Sequence, residues 1–377
     1  MAEPLSVGVE EEYLLADTVT GALVPRSAEA VAAATATLGG SVTGELNLCQ
    51  IEVATAVCTS LDVLGDDLGR LRRRLAAACL PLGLAPLASG THPFSPWQAQ
   101  AVDRSNERYA SMEDRYQIVA RQQVICGCHV HVGVEDPAVR VAVMNRARSW
   151  MPLFLALSAN SPYWQGTDSG YASYRTQVWQ RWPMAGMPPA LDGPDAYDGL
   201  VAGLVRTGAI EDATHLYWYI RPSARYPTLE FRVCDVCLEP EQAVMLAGLL
   251  RALVWTCAAE ACEGGSGPAT GASVVGADYQ LRAAVWNAAR YGLEGRLMDP
   301  DTGLAAPAAQ VIRAAVDRLG PALDAHGDRA AVEDGVERIL REGNGAVWQR
   351  QVVAQVGQPG LALRLVGLAA GRGSSVT

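Results

Sequence analysis

Four short stretches of this chain alternate polar and apolar residues with a period of two, and no other feature constrains the fold as strongly. Successive side chains on a strand point to opposite faces. In "SVGVEEEYLL" (6–15), Gly8, Glu10 and Glu12 therefore share one face, with Val7, Val9 and Tyr13 behind them. In "CHVHVGV" (128–134), His129 and His131 share a face, and in "TLEFRVCD" (228–235) Glu230 and Arg232 do. In "CQIEVAT" (49–55), Glu52 stands between Ile51 and Val53. A solvated sheet face also alternates, yet such faces seldom choose Glu-x-Glu, His-x-His and Glu-x-Arg. Gathered on one sheet, these residues make a face of carboxylates, imidazoles and a guanidinium. Carboxylates that close repel one another unless cations join them. An oxygen-rich set with one or two imidazoles suits Mg²⁺ or Mn²⁺.

"CGCHVHVGV" (126–134) and the C-x₂-C of Cys234 and Cys237 raise zinc as the rival metal. A Cys-x-Cys-His run on an extended strand splits its ligands between faces, so the sulfurs read as small apolar core residues. Strict alternation puts Cys234 beside Glu230 and Arg232.

The chain has 377 residues, and its thirty cationic side chains are all arginine. Without lysine there is no Schiff-base chemistry, pyridoxal phosphate attachment or Walker A lysine; phosphates would have to be handled by arginine and metal ions. A net charge of −10 argues against nucleic acid or an anionic membrane as partner. The N-terminal residues lack the basic and apolar regions of a signal peptide, and nine cysteines in this context suggest reduced thiols and a cytoplasmic protein. The longest apolar run, 243–262, carries Arg251 near its middle. Centring that charge in a bilayer costs about 2.5–3.5 kcal/mol, so a buried helix is expected.

Periodicity predicts a strand at 5–15 and helices at 27–38, 60–80 and 136–158. Further strands are expected at 215–221 and 228–235. In "RLRRR" (70–74) the arginines read as a solvated helix face. Between 158 and about 200 no period is sustained, and eleven of the twenty-one Trp and Tyr residues fall between Tyr163 and Tyr226, as in a binding loop or a structured insertion. Residues 263–276 read as a flexible connection, about 278–370 as helical, and "GRGSSVT" (371–377) as a frayed tail. Strands early and helices late predict an α+β fold, read as one catalytic domain over 1–377.

With "GVEEEYLL", "IEVATAVC", "GTHPF", "GCHVHVG", "SPYWQGTDSGYASYR", "IRPSARYPTLEFRVCD" and "ARYGLEG" in this order over about 8–295, the sequence resembles the bacterial carboxylate–amine ligases known as glutamate–cysteine ligase type 2. The resemblance implies a curved, mainly antiparallel sheet forming a funnel, flanked by helices and related to glutamine synthetase. It implies ATP- and Mg²⁺-dependent amide formation from small-molecule carboxylate and amine substrates, glutamate being the expected acid and cysteine one amine. It further implies Glu10, Glu12, Glu52, His129 and Glu230 as metal ligands, and Glu45 as a further acidic position that needs a turn or bulge to face the same way as Glu52. Arg232 is implied as the contact to the transferring phosphate and Arg290 as a second anion contact, both toward the nucleotide. His131 is read as standing behind the ligands. Two other readings stay open: a phosphotransferase of the guanidino-kinase kind, and a non-catalytic scaffold that binds metal or ligand. The sequence also leaves room for a homo-oligomer.

Overall fold

The computed structural model describes residues 4–264 and 274–371. Most of the 263–276 connection and all but the first residue of the 371–377 tail lie outside the described residues.

The chain opens with strand β1 (Val7–Asp17), helix α1 (Ser27–Leu38), strands β2 (Val42–Gly44) and β3 (Gln50–Ala54), helix α2 (Leu61–Cys79) and strand β4 (Leu84–Leu87). Helices α3 (Glu107–Tyr116) and α4 (Ile118–Arg121) lead to β5 (Gly127–Gly133), followed by α5 (Pro137–Ala147) and α6 (Met151–Ser158). Next come a two-stranded hairpin, β6 (Tyr163–Trp164) and β7 (Thr167–Asp168), then α7 (Arg175–Trp179) and α8 (Pro194–Arg206). Strands β8 (Ile220–Pro222) and β9 (Thr228–Asp235) complete the main sheet, and helix α9 (Pro240–Gly264) follows. The rest is α10 (Val274–Tyr291), a small β10 (Arg296–Met298) and β11 (Ala305–Pro307) pair, then α11 (Ala308–His326), α12 (Arg329–Glu342) and α13 (Gly345–Ala369).

The fold is α+β, as the sequence predicts. Seven strands form one open sheet in the order β2-β3-β1-β5-β9-β8, with β4 pairing the far end of β1, and every pairing is antiparallel. β1 is central because it is long enough to serve both sides, with Glu10–Leu14 against β3 and Val7–Glu11 against β5. The apolar residues of the alternating stretches, including Val7, Val9, Val130, Val132, Leu229 and Phe231, are buried together under α6 and α9.

α2 shows how the sequence makes its own helix. Ser60 caps it, its hydroxyl accepting from the Val63 amide, and Leu61, Leu64, Leu68, Leu71 and Leu75 bury the expected stripe. Each leucine withdrawn from water contributes about 1.5–3 kcal/mol. The arginine run does not simply face solvent, however. Arg72 turns inward and clasps the fully buried Glu11, its Nε donating to Oε2 at 2.8 Å. Val9 and Tyr13 flank Glu11 on its face of β1, and although the Tyr13 hydroxyl donates to it, its charge requires a cation from another element.

α9 is the expected buried helix. Arg251, with no exposed surface, donates from Nε to Asp328 at 3.1 Å and from Nη1 to the Thr59 carbonyl at 2.8 Å. The Arg329–Ala369 stretch is also long and apolar enough to cross a membrane, but Gly343 ends α12 within it with φ of 90°. Other expectations shift in detail. The 136–158 helix is two helices joined by a 3₁₀ turn, the 215–221 strand shrinks to Ile220–Pro222, and α8 arises where no period is sustained.

Candidate active site

The register of four strands assembles the polar face. Glu10 lies opposite His129 and Gly8 opposite His131 across β1 and β5, while Glu12 lies opposite Glu52 across β1 and β3. His131 in turn lies opposite Glu230 of β9. Glu10 is the hub, with Oε2 3.4 Å from His129 Nδ1 and Oε1 3.4 Å from His131 Nε2. Two three-residue groups able to hold a cation share it: Glu10, Glu52 and His129, and Glu10, His131 and Glu230. His131 thus stands as close to the carboxylates as His129 does, its Nδ1 resting 2.9 Å from Thr228 Oγ1. Glu12 is turned partly toward the chain, accepting the Gly127 amide at 2.6 Å, with its other oxygen 3.6 Å from His129 Nε2.

Glu45 reaches this face by the route its parity requires. It sits in the turn between β2 and β3, where Tyr109 Oη donates to it at 3.2 Å. Burial and the neighbouring Glu12 push its carboxyl up to about 7. Burial, then Glu10, Glu45 and Glu12, raise Glu52 well above the usual carboxylate range. Glu10 goes the other way: against the cost of burial, the adjacent imidazoles of His129 and His131 hold it well below that range. Burial, then the Arg232 charge, lowers the His129 imidazole.

Glu230 is gripped by two arginines, one of which, Arg221, carries no role predicted from sequence although it lies in the same motif. Arg221, its neighbour across β8 and β9, donates from Nε at 2.8 Å and Nη2 at 3.1 Å, and Arg232 Nη1 donates from the other side. Against burial, Arg232 and Arg221 hold Glu230 well below the carboxylate range. Arg221 ends a stretch that reads as strand, but its pairing with Glu230 depends on a register that no local pattern encodes.

β9 also corrects the placement of Cys234. Val130 pairs with Phe231, but Cys128 pairs with Cys234, so one extra residue of β9 is inserted opposite His129. This β-bulge reverses the alternation beyond Arg232. Cys234 turns into the core with Cys128 and Cys237, and burial raises its thiol above its ordinary range. The imidazoles stay on the opposite face.

Arg290 lies with the aromatic segment. It donates to the Gly170 carbonyl, and its guanidinium carbon is 5.7 Å from the Tyr171 ring and 4.8 Å from the Tyr291 ring. None of these contacts reaches the carboxylates. From the same segment Trp179 does reach the site, with Arg232 5.1 Å above its ring.

Two observations bear on a bound cation. Among the described residues, Nε2 of both His129 and His131 is buried without a well-formed hydrogen bond, lying 3.6 Å from Glu12 and 3.4 Å from Glu10. Among the described residues, Glu10, Glu12, Glu52 and Glu230 also converge on these rings, while the arginines there, Arg221 and Arg232, both pair with Glu230. Unpaired nitrogen donors among crowded carboxylates fit a divalent metal of the Mg²⁺ or Mn²⁺ type.

A family model described as glutamate-cysteine ligase family 2 matches residues 6–364. The chain belongs to this family. Among its relatives is a Rhodopirellula baltica protein named "Putative glutamate--cysteine ligase 2", 40% identical over 352 residues and covering 92% of each chain. A Streptomyces coelicolor protein of the same name is 42% identical over 356 residues, covering 93% of this chain and 95% of its own. Among solved structures, the glutamate–cysteine ligase of Francisella tularensis in complex with AMP aligns with a TM-score of 0.73 at 14% identity, covering 98% of this chain and 89% of that one. This family-2 chain therefore shares the glutamate–cysteine ligase fold, and its family membership makes it a protein of the ligase class.

Proposed function

We propose that this chain is a cytoplasmic, ATP-dependent ligase, acting as a single catalytic domain, that joins a carboxylate to an amine through an acyl phosphate. Glutamate is the proposed acid, and cysteine or another small amine the acceptor. The observation that carries the reading is the pair of three-residue groups sharing Glu10 beside the Glu230–Arg232 pair. The AMP bound to the Francisella tularensis ligase supports a nucleotide as co-substrate.

A carboxylate does not acylate an amine in water until its oxygen becomes a leaving group. Transfer of the terminal phosphoryl group of ATP to the carboxylate makes that leaving group, and the amine then displaces phosphate. Glu10, Glu52, His129, His131 and Glu230 would hold the divalent cation, with Glu12 and Glu45 beside them. When bound, such a cation neutralises phosphate oxygens and orients them. Arg232, braced by Glu230 and Trp179, would take up charge on the transferring phosphoryl group, a task that is mostly positioning and electrostatics. Arg290 is proposed as a second anion contact, on the aromatic side.

Hydroxylamine tests the central step because it needs no specific amine pocket. With ATP, Mg²⁺, glutamate and hydroxylamine, the protein should form glutamyl hydroxamate and ADP, and Glu230→Gln should abolish the product. A phosphorylated nitrogen without hydroxamate would indicate a guanidino-type kinase. Neither product, across a broad panel of acids and with ATP still bound, would leave only a binding scaffold.

A further inference from the structure

Beyond the proposed ligands, one more buried cation approaches the site: Arg175, the first residue of α7. It has 1% of its surface exposed and packs against Arg232, Trp179, Asp235 and Gly127, none of them a candidate metal ligand. Its Nη1 and Nη2 donate to the Arg232 carbonyl at 3.4 and 3.3 Å. Its guanidinium carbon lies 5.2 Å from the centre of the Trp179 ring, the same ring that carries Arg232 at 5.1 Å. Asp235 Oδ1 is 4.0 Å from Nη1. That carboxylate is itself fixed, accepting from the Asn160 amide at 2.8 Å and from the Ser161 and Ser173 hydroxyls at 2.7 and 2.8 Å. On the other side the guanidinium presses on Gly127 of β5, where a Cβ would collide with Nη2 and stand 2.8 Å from Cζ.

These contacts converge on the bulge of β9. The inserted residue opposite His129 interrupts the β5–β9 register at Arg232 and Val233. A bulge bends its strand and re-aims the side chain that it carries, so the orientation of the Arg232 peptide decides where the Arg232 guanidinium points. We infer that Arg175 is a positioning residue for the ligase reaction: clamped between Asp235, Gly127 and Trp179, it holds the Arg232 carbonyl and so aims Arg232 at the reacting phosphate. The inference rests on the function proposed above. Arginine is needed for this role because two nitrogens of one rigid fork reach the carbonyl while the same guanidinium stacks on the ring. Lysine would keep the charge beside Asp235 and lose the fork.

The test is a double-mutant cycle on hydroxamate formation with Arg175→Lys and Arg232→Ala. In the wild-type background Arg175→Lys should lower kcat by roughly 10- to 100-fold, the scale of a misplaced catalytic group, with the KM for ATP within about twofold. In the Arg232→Ala background the same substitution should change kcat by less than about twofold, because nothing remains to be aimed. Gly127→Ala displaces the same guanidinium from the β5 side, leaves Asp235 its partner, and should show the same dependence on Arg232. Equal fold-losses in both backgrounds, a wild-type kcat in Arg175→Lys, or a variant that does not fold where Gly127→Ala folds and keeps full activity would each overturn the inference. Absence of hydroxamate from the wild-type protein would instead overturn the proposed function.

Discussion

Glu10 and Glu11 are neighbours in the chain and opposites in their surroundings. Glu11 points behind the sheet, where Arg72 and the Tyr13 hydroxyl donate to it and Arg72 also reaches the Leu238 carbonyl at 3.0 Å. Arg251 and Asp328 make a second closed pair on that side. Glu10 points to the front, among Glu52, Glu230 and two imidazoles whose Nε2 atoms make no well-formed hydrogen bond among the described residues. Behind the sheet the chain satisfies its own charges. In front, Glu230 has its two arginines, while among the described residues Glu10 and Glu52 have no guanidinium partner, and a cation from outside the chain would complete them. Crowded carboxylates without a guanidinium partner therefore mark the site, beside the paired Glu230 and Arg232.

The sharpest test of the front face is Arg232→Ala. It should reduce kcat for hydroxamate formation by about 10³-fold or more, about 4 kcal/mol in the barrier. Unfolding should stay close to wild type, since Arg221 keeps Glu230 paired. Near-normal turnover in the folded variant would remove Arg232 from the chemistry.

Behind the sheet the consequences should reverse. Glu11→Gln strands the Arg72 charge and should cost about 3–5 kcal/mol of folding stability, read from denaturant unfolding. The folded fraction should keep its turnover to within a few-fold. A variant as stable as wild type would erase the contrast between the faces.

Metal binding sharpens the comparison at smaller scale. Mn²⁺ or Mg²⁺ at a hundred times its dissociation constant should stabilise the wild-type protein by about 2.7 kcal/mol, visible as a rise in Tm. Glu10→Gln removes the carboxylate common to both groups and should abolish most of that rise. An unchanged rise would put the cation elsewhere.

Glu52→Gln should have the smallest effect on stability, and of the opposite sign from Glu11→Gln. Its carboxyl is raised by burial and by Glu10, Glu45 and Glu12, so replacing it with a neutral amide relieves repulsion. Without added metal, stability at neutral pH should hold or rise by about 1 kcal/mol, while hydroxamate formation is lost. A clear loss of stability would mean that Glu52 is held by partners, as Glu11 is.

Much of this is legible in the sequence, because strand alternation and helix periodicity are local. The period of two by itself determined that Glu10 and Glu12, His129 and His131, and Glu230 and Arg232 each share a face of their own strand. The leucine spacing likewise determined the buried stripe of α2, and the missing lysine restricted phosphate handling to arginine and metal. Tertiary structure decided what depends on register and on distant partners. One extra residue in β9 moved Cys234 into the core, a turn after β2 brought Glu45 to the carboxylates, and Arg72 left the solvated face of its helix to meet Glu11. Arg221 and Arg175 lie inside motifs of the sequence, but only register and packing brought them to the site, and Arg290 settled beside tyrosine rings. A pattern of side chains records which way each residue points along its own strand. Which residue stands opposite it is set by hydrogen bonds between strands far apart in sequence, and one inserted residue changes that answer without altering the local pattern.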